Sequence, residues 1–335
     1  MALIDKLLKN STVKETKKLN ESFLFTEKDF VSTKFPIINI AFGGSLHGGF
    51  LGGIHQFAGP SKHFKSCLCL ICAKAYLDKY PDAIMVLYDC EGGMPEKYFD
   101  TFDIDANRVI HTPITDIEVL KQDIVKQLDM LTEGDHVVFV FDSLGNVASK
   151  KELDDTRDGK SVADMSRAKS IKGLFRMITP MLVFKNIPMF VVNHTYKEMS
   201  LFPKDIVGGG TGSVYSANNI FIIGRQQEKD GKDVTGYNFI LRAEKSRGIK
   251  ENSKLGLNIT FENGINKYSG LLALAVEGGF VDNSSKGWYS LIDQETGEVI
   301  GKKLRENETE NDEFWQPILD NPKFDEFIRG KYQLC

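Results

Sequence analysis

At 335 residues the chain is long enough for one large α/β domain with appendages, or for two ordinary domains. Hydrophobic residues make up 41%, charged residues 26%, and the formal net charge is −4, which excludes a disordered chain and a polycation; any nucleic-acid binding has to come from a local patch. No apolar run approaches membrane-spanning length and the N-terminus does not read as a signal peptide, so no membrane partner is expected. The five cysteines lack framework spacing and suggest a reducing compartment.

Residues 1–20 place Leu3, Ile4, Leu7, Leu8, Val13 and Leu19 among Lys6, Lys9, Lys14, Lys17 and Lys18, which predicts an amphipathic helix or one with a broken second half. Residues 21–32 carry Phe23, Leu24, Phe25, Phe30 and Val31. That pattern fits an added strand, an arm docking elsewhere, or a helix packed on its own domain.

From about Lys34 to Ile223 strands and helices alternate. Strands are expected at Gly53–Ala58, Ile84–Asp89, Val137–Asp142 and Pro188–Asn193, with helices at Cys67–Lys79, Glu96–Phe102, Ile117–Leu131 and Val162–Phe184. Alternation of this kind predicts a parallel sheet with helices on both faces, and in such sheets the site lies off the carboxyl ends of the strands. After the first strand comes Gly59-Pro60-Ser61-Lys62-His63-Phe64-Lys65-Ser66, the strand–loop–helix context of a phosphate-binding P-loop. Backbone N–H groups and the helix N-terminus cradle phosphate oxygens there; Lys65 can reach the outer phosphates and the Ser66 hydroxyl can ligate Mg²⁺. Phe64 departs from the glycine usual before the lysine, and a chance match in an ordinary βα turn is the alternative. Cys67, Cys69 and Cys72 do not share one helix face and read as packing residues, not as a metal site.

Three further strand ends carry chemistry. Asp142 closes an apolar run, where a carboxylate holds Mg²⁺ or a water of its shell; otherwise Asp142-Ser143-Leu144-Gly145 is a turn. Glu91 can polarise a water for attack on a γ-phosphate, provided that its strand neighbours that of the P-loop and brings it near Lys65. Asn193 and His194 can donate to a γ-phosphate, or His194 is a satisfied core residue. Asn146–Val162 and Thr195–Gly212 read as mobile loops, the second ending in Gly208-Gly209-Gly210-Thr211-Gly212. Lys150, Lys151, Arg157 and Lys160, then Arg167, Lys169, Lys172 and Arg176, suit a nucleic-acid backbone or a solvated surface. Lys229-Asp230-Gly231-Lys232 predicts a hairpin between Phe221–Arg225 and Tyr237–Glu244, with Leu255–Phe261 a further strand. Beyond about Gly270 a helix at Leu271–Gly279, a strand at Gly287-Trp288-Tyr289 and small helices around Phe314 to Ile328 suggest a C-terminal subdomain.

In order, these motifs resemble the RecA-family recombinases, phage UvsX branch. The residues that carry the resemblance are Gly59–Ser66 with Phe64, Tyr88-Asp89-Cys90-Glu91, Asp142-Ser143-Leu144-Gly145-Asn146, Asn193-His194-Thr195-Tyr196 and Gly208–Gly212. Lys151-Glu152, Glu244-Lys245-Ser246-Arg247 and Gly287-Trp288-Tyr289 add to it, and the likeness covers nearly the whole chain. The resemblance implies an α/β fold: a RecA-type P-loop ATPase core, a mostly parallel twisted sheet with helices on both faces and an antiparallel extension, in residues 33–270. Residues 1–32 would be an N-terminal oligomerisation arm and 271–335 a small C-terminal α/β subdomain. It implies ATP and Mg²⁺ as cofactors, with ATP held by Gly59 through Ser66, Cys67, Tyr98, Lys245 and Arg247, and Mg²⁺ by Ser66 and Asp142. Catalysis would fall to Lys65, Glu91, which activates the water, and His194, which stands where cellular members carry Gln. Tyr98 would stack on adenine, and Lys245 and Arg247 would reach the neighbouring subunit's nucleotide. DNA would meet Lys150, Lys151, Arg157, Lys160, Arg167, Lys169, Lys172, Thr195, Tyr196, Lys197 and Gly208, Gly209, Gly210, Thr211 and Gly212.

The implied activity is DNA-dependent ATP hydrolysis, with homologous pairing and strand exchange by a helical filament in recombination, repair and replication. The implied partners are single-stranded DNA, duplex DNA, further copies of the chain, and single-strand-binding and mediator proteins; the implied location is the host cytoplasm. Related phage proteins carry a further acidic tail beyond the position of Cys335. Three readings compete: a hexameric helicase-type motor of the same fold, which lacks an obvious helicase domain here; a small-molecule kinase, for which no arginine-rich lid is evident; and a DNA coat with a vestigial P-loop, which intact Lys65, Ser66, Glu91 and Asp142 oppose.

Overall fold

A computed structural model describes residues 2–13, 15–22, 29–132, 134–159, 166–199 and 203–334. The expectations resting on Lys14, on Phe23, Leu24 and Phe25, on Lys160 and Val162, and on Cys335 fall outside these residues. The chain divides into two compact units, Met1–Phe30 and Val31–Cys335. In the first, helix α1 spans Leu3–Lys9, with Asp5 in its first turn and Lys6 and Lys9 in its last, charges that suit the helix dipole. It buries no side chain: Leu3 is 72% and Leu7 64% exposed. A single helical turn at Leu19–Glu21 follows, so the second half of the expected helix is broken.

The second unit opens with α2 (Pro36–Gly43), which no periodicity announces because a largely apolar eight-residue run fits strand and helix alike. Pro36 presets its first turn, and Gly44, at φ 69°, ends it in the left-handed region. Strand β1 (Gly53–Ala58), β2 (Ile84–Asp89), β4 (Val137–Asp142) and β5 (Pro188–Asn193) occupy the expected residues, and β3 (Val109–Pro113) adds an edge strand. Between them lie α3 (Lys65–Lys79), α4 (Glu96–Thr101), α5 (Ile117–Met130), α6 (Lys150–Arg157) and α7 (Ser166–Phe184). A short hairpin, β6 (Thr195–Lys197) and β7 (Asp205–Val207), precedes α8 (Gly210–Ser216). The expected hairpin forms as β8 (Asn219–Asp230) and β9 (Asp233–Lys245), turning at Gly231 with φ 59°, and β10 (Lys254–Thr260) and β11 (Gly264–Ile265) extend it.

Among the described residues the principal sheet orders nine strands β11-β10-β9-β8-β1-β5-β4-β2-β3. From β8 to β3 the pairs are parallel; from β8 to β11 they are antiparallel. Successive strand residues point to opposite faces. On β4, Val138 and Val140 join a core with α2 and α3, while Phe139 and Phe141 join another with α5 and α7. Phe42 of α2 sits amid the rings of Phe50, His55, Phe57, Phe190 and Phe221.

Three expectations need correction. Asn146–Val162 is not irregular throughout: α6 lies inside it, started by a capping box in which Ser149 Oγ accepts from Glu152 N. The Ser-x-x-Glu pattern was the missed signal. The glycine run does not simply loosen the chain, for Gly209 and Gly210 take left-handed conformations that turn it into α8. β1 and β2 are not neighbours; β5 and β4 lie between them.

The C-terminal elements are α9 (Leu271–Glu277), a small sheet of β12 (Val281–Asp282), β13 (Tyr289–Ile292) and β14 (Val299–Leu304), and helices α10 (Asp312–Leu319) and α11 (Pro322–Tyr332). Their Leu271, Phe280, Trp315, Phe324 and Ile328 belong to the same apolar core as α2 and α3, so no gap in packing marks residue 270. Asp325 of α11 ties the ends together by accepting from Ser45 Oγ and Leu46 N, both at 2.7 Å.

Candidate active site

Parallel pairing aligns the strand ends: Ala58 lies opposite Asn193, and Asp89 opposite Asp142. The loop Gly59–Phe64, Asn193-His194, Asp142-Ser143 and Asp89-Cys90-Glu91 therefore share one edge of the sheet. The loop turns through Lys62 at φ 60° and Phe64 at φ 59° and delivers Lys65 at the first position of α3. His63 Nδ1 lies 2.8 Å from Ser61 O, and Arg225, stacked over Tyr237, donates to Lys62 O at 3.1 Å. Phe64 stacks its ring on Phe239 at 5.1 Å between centroids. That apolar partner lets a large residue replace the usual glycine. Gly59 has φ 156°, and a Cβ there would lie 3.0 Å from Ile223 O. Pro60, Ser61 and Lys62 are exposed, and Cys67 is half-buried on the first turn of α3.

Lys65 is buried and donates from Nζ to Pro60 O at 2.7 Å, closing the loop upon itself. Burial holds its pKa below the ordinary lysine value, while Asp142 and Glu91 pull the other way. Ser66 Oγ donates to Asp142 Oδ2 at 2.6 Å. Asp142 is 3% exposed, and burial raises its pKa to about 6, helped by the nearby Glu91 and Asp89 carboxylates and opposed by the Ser66 bond and Lys65. Negative charge thus gathers beside a hydroxyl and a helix N-terminus, a donor set suited to a hydrated divalent cation with phosphate. The cradle fits Mg²⁺ and a nucleotide triphosphate on that chemistry.

Glu91 reaches this cluster although its strand is distant from β1. Asp89 Oδ1 accepts from Glu91 N at 2.9 Å and Gly92 N at 2.7 Å, which turns the chain back over the edge. Ser143 Oγ donates to Glu91 Oε1, and His194 Nε2 lies 3.4 Å from the same oxygen. Cys90 Sγ packs on Ser143, 3.0 Å from its O and 3.2 Å from its N. His194 is half-buried and lies close to Gly145, where any Cβ would collide with the imidazole. Ser143 and Arg225 carried no role in the sequence reading; Ser143 had a signal, as a hydroxyl directly after a strand-end carboxylate.

Other expected residues lie apart from this edge or are already engaged. Tyr98, on α4, is 37% exposed. Lys245 Nζ donates to Val214 O at 2.8 Å and Tyr215 O at 2.9 Å, capping α8, and burial lowers its pKa. Arg247 is exposed, and its backbone N donates to Asn219 Oδ1. Arg167 donates to Val147 O, Leu144 O and Gly145 O at 2.7–2.9 Å and so braces the turn after β4. Lys151 pairs with Asp155, and Arg157 with Asp154, along α6. Lys150, Lys169 and Lys172 are exposed, the last with its stem against Gly212. Tyr196 is 57% exposed beside half-buried Thr195, and Lys197 pairs with Asp205 across the β6–β7 hairpin. Gly208 and Gly209 are half-buried, Gly210 and Thr211 exposed, and Gly212 buried.

Comparison with known proteins adds a third line. The family model of the bacteriophage T4 recombination and repair protein, C-terminal domain, matches residues 268–328. The chain is 46% identical to the recombination and repair protein of Enterobacteria phage T4, over 99% of this chain and 86% of that protein. It is 24% identical to protein RecA of Bdellovibrio bacteriovorus, over 83% of this chain and 72% of that one. Identity to protein RecA of Francisella tularensis subsp. novicida is 23%, over 69% and 65%.

Proposed function

The chain belongs to the RecA-family recombinases, in the branch of the phage T4 recombination and repair protein, and from that premise we propose an ATP-driven filament on single-stranded DNA that pairs it with homologous duplex and exchanges strands. The observation that carries this reading is the convergence of Lys65, Ser66 and Asp142 with Glu91, Ser143 and His194 on one sheet edge, with His194 opening a glycine-rich segment. The helicase-type reading finds no support among these relatives.

ATP with Mg²⁺, when bound, supplies the hydrolysable triphosphate. Lys65, which here donates to Pro60 O, would turn to phosphate oxygens, and Ser66 and Asp142 would hold the cation. Glu91 takes the proton of the attacking water, while Ser143 and His194 orient its carboxylate. Tyr98 would offer its ring to the base, and Arg247, with Lys245 once it leaves the Val214 and Tyr215 carbonyls that it caps, would reach the neighbour's nucleotide. The DNA backbone meets Lys150, Lys151, Arg157, Lys169, Lys172 and the segment from Thr195 to Gly212; Arg167, spent on carbonyls, serves the turn. A head-to-tail contact that does not close builds a filament, and many weak DNA sites in one array bind tightly despite a net charge of −4.

The test is strand exchange between a circular single strand and a homologous linear duplex. Wild-type protein yields joint molecules with ATP and Mg²⁺, and Lys65→Ala yields none. Duplex unwinding without a homologous strand, and without exchange, would overturn the proposal in favour of a translocating motor.

A further inference from the structure

Gln56 lies within β1, fully buried, three residues before the P-loop. Its neighbours two residues either way, Ile54 and Ala58, point into the core that β1 shares with α7. A primary amide in such a place costs desolvation unless its polar atoms are bonded. Nε2 donates to Ser213 O in α8 at 2.9 Å, and Oε1 accepts from Asn193 Nδ2 at 3.1 Å. Asn193 spends its remaining capacity on the same region: Nδ2 also donates to Gly208 O at 2.9 Å, and Oδ1 accepts from His194 N at 2.8 Å. Gly208 N donates to His194 O at 2.9 Å, and Ser213 Oγ donates to Gly210 O at 3.0 Å.

Two buried amides therefore clasp both ends of the segment that leaves at His194 and returns at Gly208–Ser213. One end carries the imidazole beside Glu91; the other is the glycine tract that opens α8. The clasp itself is anchored on the strand that runs into the phosphate loop. Nothing in catalysis requires a glutamine here, and an apolar side chain would fill the strand without desolvation cost.

We propose that Gln56, acting through Asn193, is the positioning residue that couples the glycine-rich segment to the hydrolytic edge, so that DNA held by that segment resets His194 and Glu91. The inference rests on the functional reading above, in which this segment meets DNA, taken with the DNA-dependent ATP hydrolysis that the family resemblance implies. Gln56→Leu removes both bonds with little change in volume. Gln56→Met likewise removes both bonds and keeps the length of the side chain.

The experiment compares ATP turnover with and without single-stranded DNA, together with the affinity for a fluorescent ATP analogue. Gln56→Leu is expected to lose about tenfold in DNA-stimulated kcat, the size of one neutral hydrogen bond turned into coupling. Turnover without DNA, KM for ATP and analogue affinity are expected to stay within about twofold, since the phosphate loop keeps its own bonds. Asn193→Leu added to Gln56→Leu is expected to deepen the same DNA-dependent loss, because it also removes the bonds to Gly208 O and from His194 N. Equal losses with and without DNA, or undiminished stimulation, would overturn the inference. Should Gln56→Leu not fold, Gln56→Met is read by the same criterion. A wild-type protein whose turnover ignores DNA would instead overturn the functional reading, a result seen before any variant is made.

Discussion

Phe64 shows how one residue can break a motif and keep the turn that delivers Lys65. It stands in the left-handed region, at φ 59°, where a non-glycine residue costs of order 1–3 kcal/mol. Its ring lies on Phe239, and such pairs return about 0.5–1.5 kcal/mol beyond the area they bury. His55, within β1, packs on Phe42, Phe50 and Phe190 of the same core. It is 1% exposed, with Nε2 on Leu51 O and Nδ1 accepting from Asn219 Nδ2, and burial pushes its pKa down from 6.5 to about 4. A histidine held neutral in the fold contributes stability that is fully present above 6.5 and lost as pH falls toward 4. That loss amounts to roughly 3 kcal/mol. Urea denaturation at pH 7 and pH 4.5 should show this part of the slope in wild type and not in His55→Phe. Equal slopes in the two proteins would rule it out.

At the scale of elements, α2 matters more than its length suggests. Six of its eight residues are buried, and Phe42 touches rings from β1, β5 and β8 as well as Phe50. Phe42→Ala should cost about 3–5 kcal/mol, through lost burial and the cavity left behind. A shift in the urea midpoint at constant slope would report it, and a loss below about 1 kcal/mol would mean that the cluster repacks around the gap. Helix α8 makes a different point. Its last carbonyls are capped by Lys245 and its Ser213 carbonyl by Gln56, so a seven-residue helix that begins in glycine is held by side chains from two strands. Short helices are marginal alone and take their stability from such contacts.

For the whole molecule, the division into Met1–Phe30 and Val31–Cys335 sets a clear expectation. The second unit carries both apolar cores and the complete strand-end cluster. A chain lacking residues 1–30 should unfold cooperatively near the wild-type temperature yet form no long filaments with ATP and single-stranded DNA. Light scattering checks this, and persistent filaments would refute an assembly role for the exposed apolar face of α1. No helix among the described residues is long and apolar enough to cross a membrane.

Local chemistry alone determined much of this protein. Four central strands were legible to the residue because buried parallel strands are continuous apolar runs bounded by turn residues. Lys65, Ser66, Glu91, Asp142 and His194 stood out as candidates because they follow strand ends, and parallel pairing brings those ends to one edge of the sheet. What the tertiary structure decided was adjacency. Sequence does not say that β5 and β4 intervene between β1 and β2, nor that Glu91 still meets Ser143 and His194 across that gap. The capping of α8 by Lys245 and the bracing of a turn by Arg167 were likewise invisible, because a cation's partner is set by packing and not by spacing. Gln56 was the sharpest case: a polar letter in an apolar run, whose meaning came only from the two ends of a distant segment folding back onto it.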